Sequence, residues 1–220
     1  MNMDNLKSTL PESQQDASIE WSRVFIRSGF WCEMSGQFFD FKKENPENLQ
    51  FLREALAKLN QQQHLKAFLF SPPALTVDET AWLAIIDEMH KGSEGGTSDL
   101  EHIELRIMDP YMAGIVRWIN AAGFKTYFSC DGEGIKEPKL RLINEDNAPL
   151  LDFCFRAVSK GEWRFSTERP FQRGSLPYRA ASNSQPYNRA WLLDLAEALH
   201  QHQDAIRELV QSAEKLTRLF

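Results

Sequence analysis

The residue types best suited to chemistry cluster in the stretch TYFSCDGEG, from Thr126 to Gly134. A thiol (Cys130) and two carboxylates (Asp131 and Glu133) stand beside two glycines at the end of a strand-like run. Three kinds of chemistry fit such a set. Cys130 with Asp131 could form a catalytic pair, because a thiol at a strand end near a helix N-terminus is favoured as thiolate. The neighbouring acids oppose that role, since negative charge raises a thiol pKa, and the alternative is a small buried apolar side chain. Asp109, Asp131 and Glu133 together would suit a hard cation such as Mg²⁺. Asp109 also reads as a helix cap and Asp131 as a turn residue, two roles that require no ligand. Finally, the helix start after Asp109, with Ser129, Glu133, Lys160, Arg169 and Arg173, would accept a small anionic or nucleotide-like ligand. The GEG triplet lacks the spacing and following lysine of a phosphate loop.

These residues need elements to bring them together. HIELRIM (102–108) alternates Ile103, Leu105 and Ile107 and predicts a strand. Asp109-Pro110 then opens a helix with Met112, Ile115, Val116 and Ile119 on one face, stopped at Gly123. FKTYFS and PKLRLI (138–143) predict two further strands, and Asn147 opens a helix with Leu150, Leu151, Cys154, Phe155 and Val158. EWRFS (162–166) predicts a fourth strand after Gly161. The order β-α-β-β-α-β is that of a ferredoxin-like core over 100–168, an α+β fold. In that topology Asp109, the SCDGEG turn and Lys160 meet at one edge of the sheet.

The regions on either side read differently. Residues 1–18 predict a flexible polar tail, and 22–41 predict strands joined by turns at Gly29 and Gly36. Asn45-Pro46 predicts a helix carrying Leu49, Leu52, Leu56 and Leu59, followed by the short apolar run Ala67–Phe70. Thr76 and Glu79 form a capping-box pattern before a helix with Trp82, Ile85, Ile86 and Met89. GSEGGTSD (92–99) predicts a linker between an α/β region at 19–91 and the core. At the other end, Leu192, Leu195, Leu199, His202, Ile206, Leu209, Ala213, Leu216 and Phe220 follow steps of three and four. That pattern predicts one amphipathic helix over 187–220, packed either on its own domain or against a second copy in a homo-oligomer.

Composition narrows the function classes. A chain of 220 residues with 42% hydrophobic and 25% charged residues can bury a sizeable core. No apolar run approaches the roughly 20 residues needed to span a bilayer. The first residues lack a basic start and an apolar stretch, and three widely spaced cysteines (Cys32, Cys130, Cys154) fit no disulfide framework, so a cytoplasmic location is expected. Net charge is −6, which argues against generic polyanion binding, but seven bases against two acids make 156–189 a +5 strip. Interleaved with Trp163, Phe165, Phe171 and Tyr178, that strip offers a weaker, single-stranded nucleic-acid reading; its bland alternative is a loop whose arginines pair with the acidic remainder.

Asn120, Gly123, Thr126, Ser129, Cys130 and Gly132, with Asp109 before the helix, resemble the N-x-x-G-x-x-T-x-x-S-C-x-G-H stretch of small bacterial and phage proteins, most of them uncharacterised. A looser similarity is to the serine-cysteine-glycine stretch of tRNA wybutosine-synthesis methyltransferases. Here Glu133 stands where that pattern has histidine. The resemblance implies a shared structural unit of about 35 residues. The expected function is therefore binding of a small ligand, or a reaction upon it, at the SCDGEG edge. A non-enzymatic assembly protein built on the C-terminal helix is the alternative.

Overall fold

The computed structural model describes residues 12–35, 38–66, 69–71, 78–90, 103–134, 138–163 and 188–217. It is an α+β arrangement in which helices dominate. Helix α1 (Glu12–Arg27) leads to strands β1 (Glu33–Ser35) and β2 (Phe38–Asp40), and helix α2 (Pro46–Lys58) to β3 (Leu65–Lys66) and β4 (Leu69–Phe70). Helices α3 (Glu79–Met89) and α4 (Pro110–Ala121) precede β5 (Thr126–Cys130) and β6 (Lys139–Leu142). Helices α5 (Ala148–Val158), α6 (Ala190–Gln201) and α7 (Gln203–Thr217) complete the order. The first four strands form one antiparallel sheet in the order β1-β2-β4-β3, and β5 pairs with β6 in a second.

Residues 22–27, expected as a strand, belong to α1. Aromatic and β-branched residues suggested extended chain, yet Trp21, Val24 and Phe25 fall at helical spacing and all three are buried. Phe25 lies at the centre of an aromatic core, edge-on to Phe39, Phe41, Phe70 and Trp82 at centroid distances of 5.3–5.8 Å. Such T-shaped contacts add to the area each ring removes from water. The tail expected to reach residue 18 is helical from Glu12 onward.

Helix α2 begins where Asn45-Pro46 placed it: the Asn45 side chain accepts from Asn48 N at 2.8 Å. Helix α3 is capped by Asp78, whose carboxylate accepts from the Thr80 and Ala81 amides. Asp78, rather than the Thr76 of the capping-box reading, makes these bonds; Thr76 lies outside the described residues, as does the 92–99 linker. On either side of that linker the chain shares one hydrophobic core, from Trp21 to Val210.

The strand expected over 102–108 is a 3-10 turn, Leu105–Ile107. Its alternation was genuine, because Ile103 and Leu105 are buried. Its hydrogen-bonding partner, however, is a side chain. The buried Asn48 amide donates to Ile103 O at 2.8 Å and accepts from Leu105 N at 2.8 Å, occupying the groups that a neighbouring strand would use. The expected fourth strand begins at Glu162 and Trp163, which are in no strand; its remaining residues lie outside the described ones. Of the expected β-α-β-β-α-β order, the described residues contain α4-β5-β6-α5.

The predicted single C-terminal helix is two helices, interrupted at His202, whose backbone leaves the helical region. Helix α6 packs along α4, with contacts to α1 and α5. Leu192, Leu195 and Leu199 of the heptad seam are thereby buried within the same chain. Gly114 permits the closest crossing: a Cβ there would lie 2.3 Å from Arg27 O and 2.8 Å from the Ala196 Cβ.

Candidate functional site

The motif around Cys130 divides into a supporting half and a chemical half. Helix α4 ends at Gly123 with φ +110, a left-handed turn that strains any L side chain. Phe124 N returns to Ile119 O at 2.9 Å and Gly123 N to Asn120 O at 3.0 Å, satisfying the last helical carbonyls. The Asn120 amide then donates to Thr126 Oγ1 at 2.8 Å and accepts from Thr126 N at 3.2 Å. Asn120, Gly123 and Thr126 therefore join the end of α4 to the start of β5. The strand carries Ser129 and Cys130 from that joint to the opposite end, beside the start of α4.

At that end Asp109 does not cap its helix. It occupies the N-cap position, but its side chain makes no capping bond. Its Oδ2 accepts instead from Asp131 N at 2.8 Å, across the gap between α4 and the strand end. Asp131 is fully buried and folds the turn around its own carboxylate, with Oδ1 accepting from Glu133 N at 2.8 Å. This Asx turn places Gly132 and Glu133 at positive φ, +72 and +54. Gly132 N points at Cys130 Sγ, 3.4 Å away. One donor atom each from Asp109, Cys130 and Asp131 lies within 4.8 Å of the other two.

Among the described residues, the cation at this edge is Arg189, immediately before α6. Its Nε donates to Asp131 Oδ2, and its Nη2 lies 3.7 Å from Asp109 Oδ1 and 3.8 Å from Asp87 Oδ1 of α3. The guanidinium carbon sits 4.0 Å from the centre of the Tyr111 ring, a cation–π contact. Burial pushes the Asp109 carboxyl up to about 7, and the adjacent Asp131 carboxylate adds to the rise; the Asp131 amide and Arg189 pull the other way. Burial likewise raises Tyr111, against the pull of Arg189. A carboxylic acid poised near neutrality, with a second carboxyl group within 4.8 Å, can give or take a proton at physiological pH.

The other candidates lie elsewhere. Glu133 is exposed, and only its backbone takes part in the turn. Ser129 is half-buried on β5. Lys160 is exposed at the left-handed end of α5 and forms no ion pair with Asp109, Asp131 or Glu133 among the described residues. Arg169 and Arg173 lie outside the described residues. A set of two carboxylates and one thiol mixes hard and soft donors, a poor match to the octahedral oxygen shell of Mg²⁺, and Arg189 already supplies positive charge there.

Sequence reasoning missed Arg189, Tyr111 and Asp87 as members of this edge. Arg189 was visible as the last base of the 156–189 strip, but nothing in its neighbours ties it to Asp131, 58 positions earlier. Tyr111 had the better signal, since a residue two beyond an N-cap lies in the first helical turn beside whatever the cap residue faces. No family model, no curated protein and no solved structure matches this chain.

Proposed function

We propose that this protein binds a small ligand at the end of β5 and performs acid–base chemistry on it, with Asp109 as the proton-transferring group. The observation that carries the reading is the Asp109–Asp131 contact beside Cys130, with Asp131 buried and Arg189 at its free oxygen. Placing two carboxyl groups together is costly in a fold that has no use for them, and the burial and neighbouring charge raise the proton affinity of Asp109. Asp109 exchanges the proton, Asp131 orients it, and the Cys130 thiol lines the same edge. Three carboxylates around one guanidinium favour a ligand that brings a hydrogen-bond donor or a positive charge. The anionic-ligand reading would need Arg169 or Arg173 to reach the edge.

A thermal-shift screen tests this, using nucleoside mono- and diphosphates, spermidine, agmatine and Mg²⁺ with the full chain. Stabilisation by one compound, abolished in Asp131→Asn, supports the reading. If no compound shifts the wild type, or the shift survives both Asp131→Asn and Asp109→Asn, the edge is not the binding site.

One observation favours assembly as a second reading: Leu209 and Leu216 of α7 are 36% and 59% exposed. Light scattering of the full chain against Leu209→Glu/Leu216→Glu tests it, and equal masses would exclude association through α7. The nucleic-acid reading has less behind it, because Arg156 pairs with Asp152 and Arg189 with the site carboxylates.

A further inference from the structure

The two carboxyl groups of the edge are not equivalent, and the asymmetry originates in Arg189, just ahead of α6. Asp131 is held at both oxygens, Oδ1 by the Glu133 amide and Oδ2 by the Arg189 Nε. Asp109 has one backbone donor on Oδ2, while its other oxygen lies 3.7 Å from Arg189, beyond hydrogen-bond reach. We propose that Arg189 is the positioning residue of this edge, gripping Asp131 beside Asp109 and thereby setting how readily Asp109 gives up its proton. A guanidinium close to a carboxyl group favours its charged form, so where Arg189 is held decides how strongly it acts on Asp109.

Arg189 is itself held in place. The Tyr111 ring supports its flat face, and Asp87 from α3 lies against its Nη2. Among the described residues, the charged and titratable groups facing Asp109 are therefore Asp131 and Cys130 from the strand end, Tyr111 from α4, Arg189 ahead of α6, and Asp87 of α3 behind the guanidinium. Of these only Arg189 is a cation. Removing it takes away, among the described residues, the charge that favours ionised Asp109.

The inference rests on the acid–base reading of the edge, but its test needs no ligand. Carboxyl ¹³C chemical shifts of aspartate-labelled protein are followed from pH 4 to pH 9 in the wild type, Arg189→Gln and Arg189→Lys. The expected result is an Asp109 midpoint about one pH unit higher in Arg189→Gln. Arg189→Lys, which keeps the charge but loses the fork, should fall between the two. A merely structural tie would lower stability and leave the midpoint in place, and an unchanged midpoint in Arg189→Gln overturns the proposal. If Arg189→Gln does not fold, Tyr111→Leu serves instead. It removes the support beneath the guanidinium while keeping every carboxyl group, and it should move the midpoint upward by less; no movement overturns the proposal equally. A ligand screen that fails while the midpoint responds to Arg189 would sink the ligand reading alone.

Discussion

Replacing Asp109 by asparagine should change how the stability of this protein depends on pH. Asp109 titrates near 3.8 in an unfolded chain and near 7 in the fold, because burial and Asp131 disfavour its charged form. Between those values the folded chain holds a proton that the unfolded chain has released, so stability falls as pH rises through that window. The contribution is complete below about pH 4, and its loss is complete above about pH 7. The slope is about 1.4 kcal/mol per pH unit inside the window, which gives a loss of roughly 2–3 kcal/mol between pH 5 and pH 8. Asparagine keeps a carbonyl oxygen to accept from Asp131 N and has no proton to lose, so Asp109→Asn should be spared that loss. Urea unfolding of both chains at pH 5, 6, 7 and 8 measures it, because titrations away from this edge cancel in the difference. The variant should gain roughly 2–3 kcal/mol on the wild type across the series. A difference that stays constant within about 0.5 kcal/mol would show that Asp109 is not a raised acid and would remove the basis of the proton-transfer reading.

Other consequences are open to direct measurement. Asn48→Ala should cost at least about 3 kcal/mol by urea unfolding, since it strips partners from Ile103 O and Leu105 N and from the buried Glu44 carboxylate. Glu44→Gln should cost about 3–5 kcal/mol, because Arg117, only 12% exposed, would lose its charged partner 2.8 Å away. Gly114→Ala forces a methyl against Arg27 O and should lower the melting temperature by several degrees, read by circular dichroism, at a cost of about 1–3 kcal/mol. Cys32 and Cys154, whose thiols burial pushes up to about 12 and about 11, should stay unmodified by iodoacetamide at pH 8 in the folded protein, as read by mass spectrometry.

How far the sequence revealed this molecule depended on whether the signal was local. The start of α2 at Asn45-Pro46, the stop of α4 at Gly123 and the pairing of β5 with β6 follow from neighbouring residues, and each was legible. The segment around Ile103 and Leu105 shows the limit. Its alternation reports burial on one side, which a strand and a turn held by Asn48 share, and the choice between them lies in a residue 55 positions away. Trp21, Val24 and Phe25 fit a helical face as well as a strand composition, and there periodicity was the better guide. At the site, the proximity of Asp109 to the turn could be inferred from chain direction, whereas Arg189 could not. The Asp109 side chain also abandons its expected cap because a backbone amide from Asp131 competes for it. Local preference set the position of that residue, and tertiary contact set what it does.

Strand β5 is gripped at both ends by the last two helices. At the Cys130 end Arg189 holds Asp131, and at the Thr126 end Arg207 donates to Ala121 O at 3.2 Å while Val210 packs on the left-handed corner at Gly123. Helices α6 and α7 thus act as a splint spanning the strand, with their break at His202 between the two points of attachment. A push on α7 would be delivered to the corner that fixes the height of the strand, and through it to the thiol and carboxylates at the far end.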